Sequence, residues 1–169
     1  MIKKLNRKIG ILGGSFDPPT ISHLQLCSEA LNVLKFDEIW MIPCGIREDK
    51  QLRTSGEMRL QMVERAIEDY FPRGYPVRAH DIEVKNGKSI PTYFLMKKLE
   101  ELYAGQNMDF YFMMGSDLVP TLSSWDNGDD MIKEVKFIVY ERKGYENILD
   151  ENVPHDFDMP KCMEVIKAN

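Results

Sequence analysis

The sequence is poor in cysteine and histidine and holds no long apolar run, and each shortage removes a class of protein. No stretch approaches the roughly 18 to 20 apolar residues that a membrane helix requires. The basic opening Met1 to Lys8 is not followed by an apolar signal core, because Ile9 to Gly14 is too short and reads as a strand. Three cysteines, Cys27, Cys44 and Cys162, are odd in number, far apart and outside any CxxC or Cys/His spacing, so neither a disulfide framework nor a zinc site is supported. They read as reduced thiols in a cytoplasmic setting. Excess charge is also small: 22 Lys and Arg against 27 Asp and Glu leave a formal net charge of -5, not gathered in one block. That argues against a nucleic-acid partner and leaves small anionic ligands open. Neither GxGxxG nor GxxxxGK[ST] occurs, so hydride-transfer and P-loop readings lose their main support. There is no internal repeat.

What is present fits one domain, 1–169, with its own core. Lys8 to Leu12 is a short apolar run ending at Gly13-Gly14, the pattern of a buried strand entering a tight turn. Ser22 to Leu34 carries Leu24, Leu26, Cys27, Ala30, Leu31 and Leu34 on one helical face. Glu38 to Pro43 predicts a second strand, Gly56 to Tyr70 a helix, Val77 to Val84 a third and more polar strand, and Thr92 to Tyr103 a helix opened by Pro91. Asp109 to Met114 is the strongest strand signal, Val119 to Trp125 and Asp129 to Lys133 suggest short helical turns, and Val135 to Tyr140 and Met163 to Ile166 read as the last strands. Strands alternating with helices imply an α/β fold: a Rossmann-like doubly wound parallel sheet of about five to six strands. Ligands bind beyond the carboxyl ends of such strands, which directs attention to Gly13 to His23, Pro43 to Lys50 and Gly115 to Trp125.

The segment Gly13-Gly14-Ser15-Phe16-Asp17-Pro18-Pro19-Thr20-Ile21-Ser22-His23 carries the most chemistry. Two glycines let the backbone approach a phosphate, and the Ser15 hydroxyl and nearby amides can donate to its oxygens. Thr20 and His23 are three apart, so both project at the start of one helix, where free amides and the dipole favour anions.

This segment resembles the GGxFDPxHxGH motif of the nicotinate/nicotinamide mononucleotide adenylyltransferases, within the HxGH nucleotidyltransferase superfamily. Thr20 matches a family variant at the first motif histidine, and Ser22 stands where glycine is usual. Further pieces follow in order. Ile42 to Lys50 resembles the family's proline-containing loop ending in a basic residue, Pro91-Thr92-Tyr93 its P-[ST]-Y segment, Gly115-Ser116-Asp117 its GxD motif, Trp125 its aromatic beside the pyridine ring, and Arg142-Lys143-Gly144-Tyr145 its R-x-G-[YH] turn. The family's second phosphate signature, ISSTxxR, should follow Met163 to Ile166 and is not found before Asn169.

The resemblance implies transfer of AMP from ATP to a pyridine mononucleotide in NAD biosynthesis, with pyrophosphate released. It assigns His23 and Thr20 to catalysis. ATP would be bound by Gly13, Gly14, Ser15, Phe16, His23, Gly115, Asp117 and Arg142, and the mononucleotide by Ser15, Phe16, Lys50, Thr92, Tyr93, Phe94 and Trp125. Mg2+ would ride on the substrate phosphates, with no metal ligands from the protein. ATP and the mononucleotide are the implied partners, with a homo-oligomer open. Plainer roles stand beside these: Asp117 as a helix cap, Trp125 as a packing residue, Arg142 in an ion pair, Arg47 and Lys50 as solvated charges. His80 and His155 lack motif context. Another HxGH transferase, such as a phosphopantetheine adenylyltransferase or a cytidylyltransferase, and a non-catalytic nucleotide-binding protein are the competing readings. Acid and amide forms of the pyridine are not distinguished.

Overall fold

A computed structural model of the chain describes residues 5–168; the basic residues of the opening at 1–4 and the terminal Asn169 lie outside the described residues. The fold is α/β, a six-stranded parallel sheet flanked by helices, as the alternation of strand and helix signals implied. The chain divides into two compact units, 7–90 and 91–168 with 5–6.

In the first unit, strands β1 (Arg7–Gly14), β2 (Glu38–Pro43) and β3 (Val77–Ala79) pair in parallel with β2 in the middle. Ile9, Ile11, Ile39, Met41 and Ile42 are fully buried. Neighbouring residues along β1 and β2 are buried alike because a parallel sheet covered on both faces has no wet side. The register sets Gly14 opposite Pro43, so the two polar loops that follow leave the sheet at the same level. Helix α1 (Ile21–Asn32) buries Leu24, Cys27, Ala30 and Leu31, one face of a 3.6-residue period. Helix α2 (Gly56–Tyr70) starts where the Ser55 hydroxyl accepts the Met58 N–H at 3.3 Å, with Glu57 in the first turn against the positive helix end.

The strand expected over Val77 to Val84 is half strand and half helix. β3 stops at Ala79, and α3 (Ile82–Asn86) follows, opened by the Lys85 N–H to Asp81 carbonyl bond at 2.8 Å and closed at Gly87 with φ +86°. Ile82 and Glu83 are consecutive and both buried, which a strand with one wet face cannot provide and the inner face of a helix can.

In the second unit, β4 (Met108–Gly115), β5 (Lys136–Tyr140) and β6 (Cys162–Ile166) pair in parallel with β5 in the middle, and Phe137, Ile138 and Val139 are fully buried. Helix α4 (Thr92–Leu102) buries Leu95, Met96 and Leu99. A 3₁₀ segment, Ser116–Ser124, leaves the end of β4 directly, and α5 (Gly128–Glu134) precedes β5. Among the described residues no helix is long and apolar enough to cross a membrane.

Candidate functional site

The glycine-ended strand β1 delivers the chain to Thr20, the N-cap of α1, and His23 is the third helical residue. The Thr20 N–H donates to His23 Nδ1 at 2.9 Å, and the Thr20 hydroxyl lies 3.0 Å from the same nitrogen. An Nδ1 that accepts from a backbone N–H carries no proton, so the neutral ring holds its proton on Nε2. The imidazole is thereby fixed as an Nε2–H donor at a helix N-terminus. The Phe16 ring packs edge-on against it, centroids 4.9 Å apart and planes at 82°. Phe16 itself has φ +49°, a left-handed backbone that a bulky residue adopts only where its surroundings compel it, and its side chain is 3 % exposed.

The motif loop is tied to the chain that follows β2. Arg59, on α2, is 2 % exposed and donates three ways into main chain: Nη1 to Ser15 O at 2.9 Å, Nη2 to Cys44 O at 2.7 Å and Nε to Thr54 O at 3.1 Å. Asp17 answers from the motif side. Its carboxylate accepts the Arg53 N–H at 3.0 Å. The Thr54 hydroxyl, with the Arg53 and Thr54 amides and the nearby Arg59 charge, holds its pKa below the ordinary 3.8 against a partial desolvation penalty. A second buried charge, Glu83, accepts the Ile90 N–H at 2.9 Å. Burial raises its pKa above 4.5, opposed by bonds from Ile90, Ser89 and Gly45. The Cys44–Gly45 peptide therefore runs from buried cation to buried anion, carbonyl toward Arg59 and N–H toward Glu83. Gly45 has to be glycine, since a Cβ there would lie 2.5 Å from the Lys88 carbonyl carbon. Sequence reasoning quoted Asp17 only as part of the motif and passed over Arg59, Arg53 and Glu83. The one available signal was Arg59 standing four residues before buried Val63, on the inner face of α2.

The same unit has an open cleft of about 400 Å³ lined by Ile46, Arg47, Lys50, Arg53, Thr54 and Arg59 among others. Lys50 lines it and is exposed. Arg47 is bound by Asp49, Nε to Oδ1 at 2.9 Å and Nη2 to Oδ2 at 2.5 Å, which leaves less of its charge for a ligand than a solvated arginine would offer.

The second unit presents Gly115, Ser116 and Asp117 where β4 ends. Gly115, not Asp117, is the N-cap of the 3₁₀ segment, and the cap makes no side-chain bond. Asp117 Oδ1 is buried without a hydrogen-bond partner, while Oδ2 lies 3.5 Å from Arg142 Nη1. A buried carboxylate oxygen left unmatched costs free energy unless a donor arrives, and a ribose hydroxyl is such a donor. A Cβ at Gly115 would lie 2.5 Å from that oxygen and 3.1 Å from Arg142 Nε, so only glycine lets the carboxylate fold back over the strand end. Arg142 is placed by its own N–H, which donates to the fully buried Ser116 hydroxyl at 3.0 Å. Trp125 is half-buried, its Nε1 donating to the Thr121 hydroxyl at 3.0 Å and its ring 6.4 Å from Phe112 at 82°.

Thr92 and Tyr93 lie in the first turn of α4 and are half-buried, whereas Phe94 is 49 % exposed. The Tyr93 hydroxyl donates to Glu134 at 2.7 Å, and that bond, with desolvation and the carboxylate charge, pushes its pKa up to about 12. Tyr93 is thus engaged with α5. Among the described residues no cluster of three or more His, Cys, Asp or Glu side chains is placed to hold a metal. Amides, hydroxyls and one imidazole at the head of α1 suit phosphate oxygens rather than a cation.

The profile of the cytidylyltransferase-like family matches residues 11–168. A probable nicotinate-nucleotide adenylyltransferase of Oceanobacillus iheyensis is 36% identical over 91% of this chain and 78% of its own length. One from Clostridium perfringens is 32% identical over 95% of this chain and 77% of its own length. Among solved structures, the Plasmodium falciparum nicotinic acid mononucleotide adenylyltransferase complexed with NaAD superposes with a TM-score of 0.78 at 32% identity, covering 96% of this chain and 75% of that one. By these matches the chain belongs to the cytidylyltransferase-like family, among its nicotinate-nucleotide adenylyltransferases.

Proposed function

We infer that the protein transfers the adenylyl group of ATP to nicotinate mononucleotide, giving the dinucleotide and pyrophosphate. The observation that carries this reading is the Thr20 N–H to His23 Nδ1 bond, which presents a fixed Nε2–H donor at the start of a helix entered from a glycine-ended strand. In the reaction a phosphate oxygen of the mononucleotide bonds to the α-phosphorus of ATP, the bond from that phosphorus to the bridging oxygen breaks, and pyrophosphate leaves with the electron pair. No proton need move, so a positioned donor serves better than a base. His23 donates to the α-phosphate oxygens as charge builds there, and Thr20 holds the ring. Gly13, Gly14, Ser15 and Phe16 meet phosphate through main chain and hydroxyl. Asp117 accepts from the adenosine ribose, and Arg142 and Lys50 lend positive charge. Trp125 stacks on the pyridine, with Thr92, Tyr93 and Phe94 as supporting contacts. Magnesium, carried on the substrate phosphates, supplies further neutralisation. The free thiols Cys27, Cys44 and Cys162 support a cytoplasmic setting.

The acid form of the substrate is favoured by the relatives' names and by the NaAD held in the Plasmodium structure. Product analysis with ATP and each mononucleotide tests the reading. Dinucleotide and pyrophosphate should appear in equal amounts, faster from nicotinate than from nicotinamide mononucleotide. ATP binding without dinucleotide from either would reduce the protein to a nucleotide binder.

A further inference from the structure

Arg59 is a buried guanidinium that donates to three main-chain carbonyls and lies 3.7 Å from the Cys44 sulfur; among the described residues no carboxylate lies at ion-pair distance from it. Buried cations are ordinarily paired, so an unpaired one beside a phosphate-binding loop calls for a reason. The peptide joining Ser15 to Phe16 supplies it. In a trans peptide the carbonyl and the following N–H point in opposite directions. Drawing Ser15 O inward to Nη1 at 2.9 Å aims the Phe16 N–H outward, and that N–H meets no acceptor among the described residues. It also holds Phe16 in its left-handed backbone at φ +49°, which is what sets the Phe16 ring against His23 at 4.9 Å.

We propose that Arg59 is a positioning residue for ATP binding: through the Ser15 carbonyl it turns the Phe16 N–H toward the phosphates and keeps Phe16 against His23, with its charge completed by the bound phosphate. The proposal rests on the adenylyl-transfer reading only for the identity of the nucleotide. Lysine keeps the charge but cannot reach three carbonyls in a fixed fork, whereas methionine keeps the stem and removes the charge.

The test compares the parent chain with Arg59→Lys and Arg59→Met, by calorimetric titration with Mg-ATP, thermal melting, and pyrophosphate release with the mononucleotide varied. A lost charge-assisted bond at the loop should weaken ATP binding roughly tenfold or more in Arg59→Met and by a smaller factor in Arg59→Lys. In Arg59→Lys the melting midpoint and the KM for the mononucleotide should stay near those of the parent while kcat and ATP affinity fall. A folded Arg59→Lys or Arg59→Met that binds ATP within about twofold of the parent overturns the proposal. So does a parallel fall in melting midpoint and in affinity for both substrates, the mark of a merely structural residue. If the parent binds ATP yet forms no dinucleotide, the reading of function fails while the titrations still decide for or against Arg59.

Discussion

The loop between β1 and α1 and the turn after β4 do similar work by different means. In the first, the geometry is imposed from a distance: Ser15 is held by Arg59, 44 positions along the chain, and Asp17 is tied to Arg53, 36 positions along. In the second, it is mostly made on the spot, by Gly115 giving way to Asp117 and Thr121 bonding Trp125, four residues on, with Arg142 as a distant partner. A motif made on the spot can be read from consecutive letters. A laced one shows only its inner half.

The largest effect expected from breaking this contrast is at His23. Replacing it by alanine removes the Nε2–H donor and should lower turnover roughly 10²- to 10³-fold while ATP binding changes far less. The lost bond from Thr20 N–H should cost about 1 kcal/mol of helix-start stability, visible in the melting curve. Pyrophosphate release equal to the parent's would remove His23 from the chemistry and leave it a helix cap.

Gly115→Ala comes next, because the added methyl lands on the Asp117 carboxylate at 2.5 Å. Displacing a charged acceptor from the ribose should weaken ATP binding roughly ten- to hundredfold. Gly14→Ala makes the sharper comparison: its Cβ would only touch the Phe16 ring, at 3.4 Å, so the free protein should melt as the parent does. If Gly115→Ala leaves ATP affinity intact, Asp117 is not the ribose acceptor.

Trp125→Ala should be milder. Losing one stacking partner at about 0.5 to 1.5 kcal/mol corresponds to a KM for the mononucleotide roughly two- to twelvefold higher, with the KM for ATP nearly constant. A rise in the ATP constant instead would move Trp125 to the other substrate.

Most of the fold was legible because burial on both sheet faces writes itself as apolar runs. β2 and α2 fall where Glu38 to Pro43 and Gly56 to Tyr70 put them. The helix hidden in Val77 to Val84 escaped because its inner face includes a glutamate, and charge at a buried position reads as exposure. Arg59 escaped for the same reason: on the apolar stripe of α2 it looks like an interruption, although an arginine stem packs well and only its head needs partners. The tether on Asp17 needs the Arg53 amide, a group that every loop possesses, and the Thr54 hydroxyl, which no motif spacing links to a residue 37 positions earlier. Around the candidate site, then, the spacing of Thr20 and His23 put the two together at one helix start, whereas Arg59 and Arg53, which tie down the motif loop, had no such mark.

The smallest effect concerns that tether and separates the charge of Asp17 from that of buried Glu83 by pH. Asp17 has its folded pKa lowered below 3.8, chiefly by the Thr54 hydroxyl, so its ionised form stabilises the lacing above the unfolded value and that contribution disappears as pH falls through the folded one. Glu83 has its folded pKa raised above 4.5 by burial, so its contribution has the opposite slope: present at low pH and lost as pH rises through the folded value. Asp17→Asn should therefore melt below the parent at neutral pH, with the gap narrowing as pH falls below the ordinary 3.8 and closing only where the parent's folded carboxyl takes up a proton. Glu83→Gln should change the slope only on the other side, above the ordinary glutamate range. The charge on Asp17 is well solvated, so the neutral-pH difference should be slight, and the signal is its dependence on pH. A gap between Asp17→Asn and parent that is the same at pH 3 as at pH 7 would mean that the shape of the side chain, not its charge, ties the motif loop to Arg53 and Thr54.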